Sequence, residues 1–432
     1  MKTFIYKYFH LKELNTSIKY EFYAALATFL SMSYIIFVNP NILALSGMPK
    51  GALITATIIS VIIGTGLSGL VAKLPIAIAP GMGLNAFFTY NLVIANKIPW
   101  QEALFIVFIS GAIFFVLSIL GFQNKIVKHL PISIKAGVFC GLGLFITFIG
   151  FINMGVIGHN ASTFVQLNSL SASSVIALIG LAIVIILAIY DVKGYLVIGI
   201  IISTLIALVT GIVSPPSHLI TLPPSLAPIA FHIQIPHAFT LSIISSIFSL
   251  MFVDLFDSVS TVATVTDKIN FKNEEQKLKA SNKALKVDAF TSAMGGVIGT
   301  STTTTYMESI VGILQGGKSG LTAVFIAILF IFTLFISPIV ALVPAFAVAP
   351  AMIVVGILMI RGFQLIDLSD FKQAVPAYLT AFLMPFTYNI GFGLIFGFLS
   401  HILIQIATGK IKEIHWIIWV IGLLCIIELI LI

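Results

Sequence analysis

Charge is scarce in this chain. Only 9% of its 432 residues are charged and 59% are hydrophobic, whereas a soluble domain carries about 25% charged residues. That scarcity excludes a water-soluble enzyme before any motif is read and fits a protein dissolved in lipid. Cysteine is nearly absent too. Cys140 and Cys425 lie in separate apolar segments, which leaves no disulfide framework, metal-ligand spacing or redox pair. The net charge of +7 is not gathered on one face. Its lysines fall in short connectors between apolar runs, so no nucleic-acid partner is expected. The opening MKTFIYKYFHLKELNTSIKYE is basic but leads into no short apolar core with a cleavage site. It is expected to be a cytoplasmic, amphipathic lead-in.

What the chain does have is long apolar runs. A bilayer core of about 30 Å needs roughly 20 apolar residues as helix. Fourteen segments are expected to span: 20–38, 52–72, 76–95, 101–121, 133–152, 173–190, 194–213, 239–265, 284–299, 300–315, 320–341, 344–361, 374–388 and 391–409. A further apolar stretch, 415–432, follows GKIKEIHW and either crosses or lies along the membrane. With the N-terminus inside, the inner connectors hold Lys73, Lys125, Lys128, Lys193, Lys318, Arg361, Lys372, Lys410, Lys412 and six lysines between 268 and 286. The outer connectors hold only Lys50 and Lys97, and the stretches 151–172 and 212–238 have neither Lys nor Arg. Positive charge stays inside, which predicts a cytoplasmic N-terminus.

The two halves resemble each other in order. ALFIVFISGAIFFVLSI (103–119) matches AVFIAILFIFTLFISPI (323–339), and Pro131, Ala136 and Gly143 align with Pro344, Ala349 and Gly356 at one constant offset. Seven spans per half is an odd number, so the second half must be inverted. Inverted repeats mark secondary transporters, with a midplane site at discontinuous helices. Two segments are expected to break. In LPIAIAPGMGLNAFFTY (74–90), Pro80, Gly81 and Gly83 interrupt an extended start, and in GTSTTTTYMESIVGI (299–313) all five residues from Ser301 to Thr305 are Ser or Thr. Such residues are β-prone and poor in helices. Irregular backbone at this depth is tolerated only when buried in protein or lining a wet cavity. The repeat sets Asn85 opposite Glu308, each just after an extended-to-helix switch. Half-helix N-termini there would add backbone donors to one amide and one carboxylate.

FVDLFDSVST (252–261) places acids in an apolar run. On a helix Asp254, Asp257, Ser258, Thr261 and Thr264 form one polar stripe, which must face protein or water. An intramembrane carboxylate is costly and marks function, and a carboxyl poised between its charged and neutral forms can carry a proton.

The blocks APGMGLNAFFTY, FVDLFDSVST, TSTTTTYMESIVGI, GGKSGLTA and VPAFAVAPAMIVVGILMI resemble the signatures of the AzgA-like purine permeases, a branch of the nucleobase–cation symporters. The resemblance runs from about residue 17 to 412, with Lys318 where an arginine is more usual. It implies an all-α polytopic protein with a seven-plus-seven inverted repeat. Residues 20–125 and 239–341 would form a core domain and 126–213 and 342–410 a gate. Residues 1–19 would be a cytoplasmic segment and 411–432 a C-terminal hydrophobic one. It also implies a homodimer in the cytoplasmic membrane that imports hypoxanthine, guanine or adenine with protons and uses no other cofactor. Asn85, Asp254 and Glu308 would contact the purine, and backbone N–H groups around Gly83 and Met307 would donate to it. Tyr306 would pack on the base, while Asp257, with Asp254 and Glu308, would serve proton coupling. The chemistry agrees: a purine edge alternates N–H donors and ring acceptors, which carboxylates and an amide satisfy.

Other readings are weaker. GILQGGKS (312–319) fits the phosphate-loop pattern, and GMGLNA (81–86) fits G-x-G-x-x-A. Neither has the strand–loop–helix of a nucleotide domain around it, so ATP is not expected. An intramembrane aspartyl protease needs its two acids on facing helices, but Asp254 and Asp257 share one. An anion transporter, or one for xanthine or uracil, on the same architecture is the closer rival. Three acids beside the half-helix termini argue against an anion.

Overall fold

The computed structural model describes residues 2–123, 129–216, 218–237, 239–269, 271 and 273–431. Lys125, Lys128 and Lys272 lie outside the described residues. The first half runs α1 (Lys2–Tyr8), α2 (Ile18–Met32), α3 (Ile35–Leu43), α4 (Lys50–Leu67), β1 (Ile78–Pro80), α5 (Met82–Ala86), α6 (Trp100–Ile119), α7 (Ile132–Asn153), β2 (Ile157–Asn160), β3 (Phe164–Leu167), α8 (Ala172–Ile189) and α9 (Tyr195–Val209). The second half runs α10 (Leu241–Asp267), α11 (Glu274–Ile298), β4 (Thr303–Thr305), α12 (Ser309–Leu314), α13 (Gly320–Thr333), α14 (Ser337–Leu342), α15 (Ala345–Ile360), α16 (Phe371–Thr387), α17 (Ile390–Ala407) and α18 (Trp416–Leu431).

The chain is a multi-pass, mostly helical membrane protein. Among the described residues, nine helical stretches are long and apolar enough to cross a bilayer, and Met82–Ala95, Tyr195–Val209 and Trp416–Ile430 are shorter apolar helices. Each of the fourteen segments expected from hydropathy coincides with helix or with one of the two breaks. The segment after GKIKEIHW is the helix α18, which packs on α17 and α10. One element was not foreseen: the stretch after α7 folds as an antiparallel hairpin, β2 on β3. Its turn is held by the Asn160 side chain, which accepts from the Ser162 and Thr163 N–H groups at 2.8 and 3.0 Å, a local Asx turn.

Helix starts follow local chemistry. Ser17 caps α2 by accepting from the Tyr20 N–H. Pro131 and Pro344, repeat mates in sequence, are the N-cap residues of α7 and α15, where a missing N–H costs nothing. These two helices cross at the other repeat pair. A Cβ on Gly143 would lie 2.7 Å from the Gly356 carbonyl oxygen, and a Cβ on Gly356 would strike the Gly143 carbonyl oxygen. A reciprocal contact of equivalent residues is what a two-fold relation between the halves produces.

The breaks fall where the sequence sets them. β1 leads into α5, which continues in π-helical turns to Ala95, and β4 leads through a turn to α12. β1 and β4 pair antiparallel, with Ile78 opposite Thr305, Ala79 opposite Thr304 and Pro80 opposite Thr303. Two further backbone bonds extend the ladder, from Gly81 N–H to Thr302 and from Tyr306 N–H to Ala77. A two-stranded sheet has two open edges, and in lipid these have no water to bond. Side chains close them. The Thr65 hydroxyl both donates to the Ile78 carbonyl and accepts from its N–H, each at 3.0 Å, and Ser309 accepts from the Ala77 N–H. The Ser and Thr residues here thus replace solvent around the strands.

Two sets of helices surround the ladder. α11 and α10 pack on α6, and α13 packs on α2 and α4. α15 and α16 pack on α7, α16 on α17, and α9 and α15 on α8.

Candidate functional site

Four buried elements converge at the strand ladder, and the residues expected from sequence lie on or beside it. Asn85 is fully buried in the short α5. Its Oδ1 accepts a short hydrogen bond from Ser301 Oγ, and its Nδ2 has no partner among the described residues. Asp254 lies mid-way along α10 and is 1% exposed. Ser292 Oγ of α11 is hydrogen-bonded to its Oδ2 at 2.7 Å, while its Oδ1 is buried without a partner among the described residues. One turn on, Asp257 is half-buried and accepts from Thr304 Oγ1 at 3.2 Å; Thr304 in turn lies 3.0 Å from Ser258 Oγ. The α10 stripe therefore faces β4, as its periodicity required, with Asp254, Ser258 and Thr261 buried.

The second half-helix carries the other candidates. Tyr306 is buried and its hydroxyl donates to the Pro80 carbonyl at 2.6 Å, tying the turn after β4 to β1. Its ring is thereby committed to the ladder. Glu308 is the N-cap residue of α12, and its Oε1 accepts from the Tyr34 hydroxyl at 2.5 Å. The Met307 side chain is 48% exposed, so only its backbone is available to a buried ligand. Gly83 packs so closely that an added Cβ would lie 2.8 Å from Leu142 Cδ2 on α7. Asn85, Asp254 and Asp257 are thus gathered around β4 through Ser301, Ser292 and Thr304. Glu308 stands on the next turn, bonded to α3's neighbour Tyr34.

Sequence reasoning missed three polar groups. Asp288 is fully buried on α11, and neither of its carboxylate oxygens has a hydrogen-bond partner among the described residues. It escaped notice because it follows a lysine-rich stretch, whose charge reads as connector, although α11 begins at Glu274 and carries it well inside. Ser292 lies one turn further and bridges Asp254 to β4. Glu21 is fully buried in the first turn of α2. Its Oε1 accepts from the Lys318 N–H at 3.1 Å, and its Oε2 from the Ser319 N–H at 3.3 Å and Thr322 Oγ1 at 2.5 Å. The cradle of N–H groups in GILQGGKS, the phosphate-loop match, is thus filled from within. A carboxylate in the apolar run KYEFYAALATF was the available signal for Glu21.

A buried donor and a buried acceptor left open, at Asn85 Nδ2 and Asp254 Oδ1, require an explanation, since native interiors pair nearly all such atoms. Chemically, the site can take a ligand that both donates and accepts hydrogen bonds. Comparison with known proteins agrees with a transport role. Residues 19–396 match the Permease family. The chain is 39% identical over 422 residues to a putative permease of Methanocaldococcus jannaschii, covering 98% of this chain and 97% of that one. It is 36% identical to the adenine permease AdeP of Escherichia coli, covering 98% and 95%. It is 39% identical to the guanine/hypoxanthine permease PbuG of Bacillus subtilis, covering 96% of each. In fold it resembles the transmembrane domain of the cyanobacterial bicarbonate transporter BicA, with TM-score 0.63 at 16% identity over 86% of this chain and 96% of that one. Murine Slc26a9, an anion transporter in the inward-facing state, gives TM-score 0.63 at 12% identity over 94% and 72%. Full-length matches above 30% identity fix the kinship: this chain is a transporter, not an enzyme, and it belongs to the Permease family together with the adenine and guanine/hypoxanthine permeases.

Proposed function

We propose that this protein imports purine nucleobases across the cytoplasmic membrane together with protons, hypoxanthine and guanine first and adenine next. The observation that carries the reading is the open pair at the ladder. Asn85 Nδ2 offers a donor and Asp254 Oδ1 an acceptor, both fully buried and unpartnered among the described residues. A purine supplies the complement of each, a ring nitrogen to the amide and an N–H to the open carboxyl oxygen. A site built on such pairs rejects analogues that leave one unfilled. The substrates for which the adenine and guanine/hypoxanthine permeases are named support the same choice.

In this reading Asn85, Asp254 and Glu308 contact the base, helped by backbone N–H groups near Gly83 and Met307, with Tyr306 beside it. Asp254, Asp257 and Glu308 handle the proton. The chain crosses fourteen times as two inverted sets of seven, with a cytoplasmic N-terminus. Residues 20–125 and 239–341 form the core that carries substrate, and 126–213 and 342–410 the gate it moves against. The helix packing supports this division, because the strongest pairings fall within each set. The functional unit is a homodimer in the bilayer.

The test is uptake of labelled hypoxanthine, guanine and adenine by cells lacking their own purine permeases, with and without a protonophore. Uptake of one or two bases that collapses with the proton gradient is the expected result. A correctly inserted protein that takes up no purine would sink the proposal. Bicarbonate, suggested by the fold neighbour alone, is the control anion, and it should neither compete nor be carried.

A further inference from the structure

Ser292 has one proton and two acceptors. Its Oγ lies 2.7 Å from Asp254 Oδ2 and 2.6 Å from the Thr303 carbonyl oxygen. A hydroxyl donates once but can accept as well, so both short contacts are full hydrogen bonds when Asp254 is protonated. The Asp254 carboxyl then donates to Ser292, and Ser292 donates to Thr303. When Asp254 is ionised, it has no proton to give. Ser292 must turn its own proton to the carboxylate, a stronger acceptor than a carbonyl, and Thr303 loses its donor.

That loss matters because of where Thr303 sits. The ladder bonds at Gly81–Thr302 and Ala77–Tyr306 fix the alternation, so the Pro80–Thr303 pair does not exchange bonds and the Thr303 carbonyl points off the ladder's edge. Ser292 is its donor there. Two residues earlier on the same stretch, Ser301 donates to Asn85 Oδ1. We infer that Ser292 is a positioning residue that reports the protonation of Asp254 to β4, and through Ser301 to the amide of Asn85. In the protonated state the hydrogen-bond chain is complete, so β4 is held and the substrate site is formed. In the ionised state a buried carbonyl is left open, which costs free energy, and β4 is released. No covalent bond to Ser292 breaks. The only proton that changes place is the one Asp254 takes from one aqueous side and returns to the other.

This inference rests on the reading of Asp254 as a proton and substrate site. The other acids that face Asp254 are Asp257 on its own helix and Asp288 on α11. Among the described residues Ser292 Oγ is hydrogen-bonded to Asp254 and Thr303 and to neither of these acids, so a change at Ser292 removes the link and keeps both carboxyls.

The experiment is binding of labelled hypoxanthine to the purified full-length protein in nanodiscs at about pH 5.5 and about pH 8. Wild type should bind roughly tenfold more weakly at the higher pH, the scale of one lost hydrogen bond at a buried group. Ser292→Ala should flatten this to less than about twofold, and Ser292→Thr, which keeps the hydroxyl, should restore it. Where Ser292→Ala fails to insert, Ser292→Cys, a near-isostere with a weak donor, is measured in its place and should flatten the profile likewise. Wild-type pH dependence in the alanine or cysteine variant would overturn the relay while leaving the transport reading intact. A wild-type protein that binds no purine at either pH would remove both.

Discussion

Glu21 makes a prediction whose size follows from its contacts. Its carboxylate accepts from two backbone N–H groups and one hydroxyl at the start of α13, and it is fully buried. The surroundings cannot adjust to replace it. A Cβ on Gly312 would lie 2.6 Å from the Ala24 carbonyl oxygen, and one on Gly317 2.6 Å from Ala24 Cβ, so α2 and the connector are in backbone-level contact. Glu21→Gln keeps the shape but leaves one acceptor oxygen, and turns an NH2 group toward N–H donors. Bonds to a charged group contribute about 1.5–3 kcal/mol each and do not sum, so a net loss of about 3 kcal/mol is expected, most of it from donors left unpaired. The assay is thermal unfolding of the purified protein in detergent, with Lys318→Ala beside it. Only the backbone of Lys318 is used in this contact, so its truncation should leave the transition in place. A glutamine variant that unfolds within about one degree of wild type would refute the account of the cradle.

Three further outcomes follow from the site and the packing. Asp254→Asn and Glu308→Gln should each cut purine uptake by about tenfold or more with normal insertion, since an amide can neither take up nor release the coupling proton; wild-type rates in either would remove the site assignment. Asp288→Asn should depress uptake more than it depresses insertion, because a buried acid whose oxygens meet no close donor among the described residues contributes little to stability; quantitative uptake against surface expression decides it. Gly143→Ala should lower the unfolding temperature by the equivalent of about 1–3 kcal/mol, the cost of overpacking against a backbone that cannot yield. Unchanged stability there would mean that α7 and α15 are not in contact at the repeat pair.

Hydropathy and proline placement carried most of the architecture. Apolar runs were sufficient for the helices because lipid leaves the backbone no other partner, and the Pro–Gly and Ser–Thr clusters revealed the two breaks because those residues suit extended chain and turns. The α10 stripe was legible from periodicity alone. Ser292 and Asp288 were not, because their helix begins in a charged connector and its hydrophobic signal is diluted by lysines. Tyr34 and Glu21 were hidden for a different reason: their partners, Glu308 and the 318–322 segment, lie hundreds of positions away, and no local pattern encodes such pairings. The β2–β3 hairpin was lost among weak turn residues in a connector read only for charge.

The strand ladder also has a consequence for biogenesis. β1 is made early and its partner β4 more than two hundred residues later. Until Thr303–Thr305 arrive, the first half lacks the partner strand for backbone groups at a depth where exposed N–H and C=O groups are costly. Nor can the second half close its own strand alone. The first half must therefore wait in the membrane unfinished, shielded by the insertion machinery or by temporary side-chain partners such as Thr65. Folding of this transporter is then completed by one late event, the pairing of β4 with β1, so that a truncated nascent chain leaves an open strand edge rather than half a transporter.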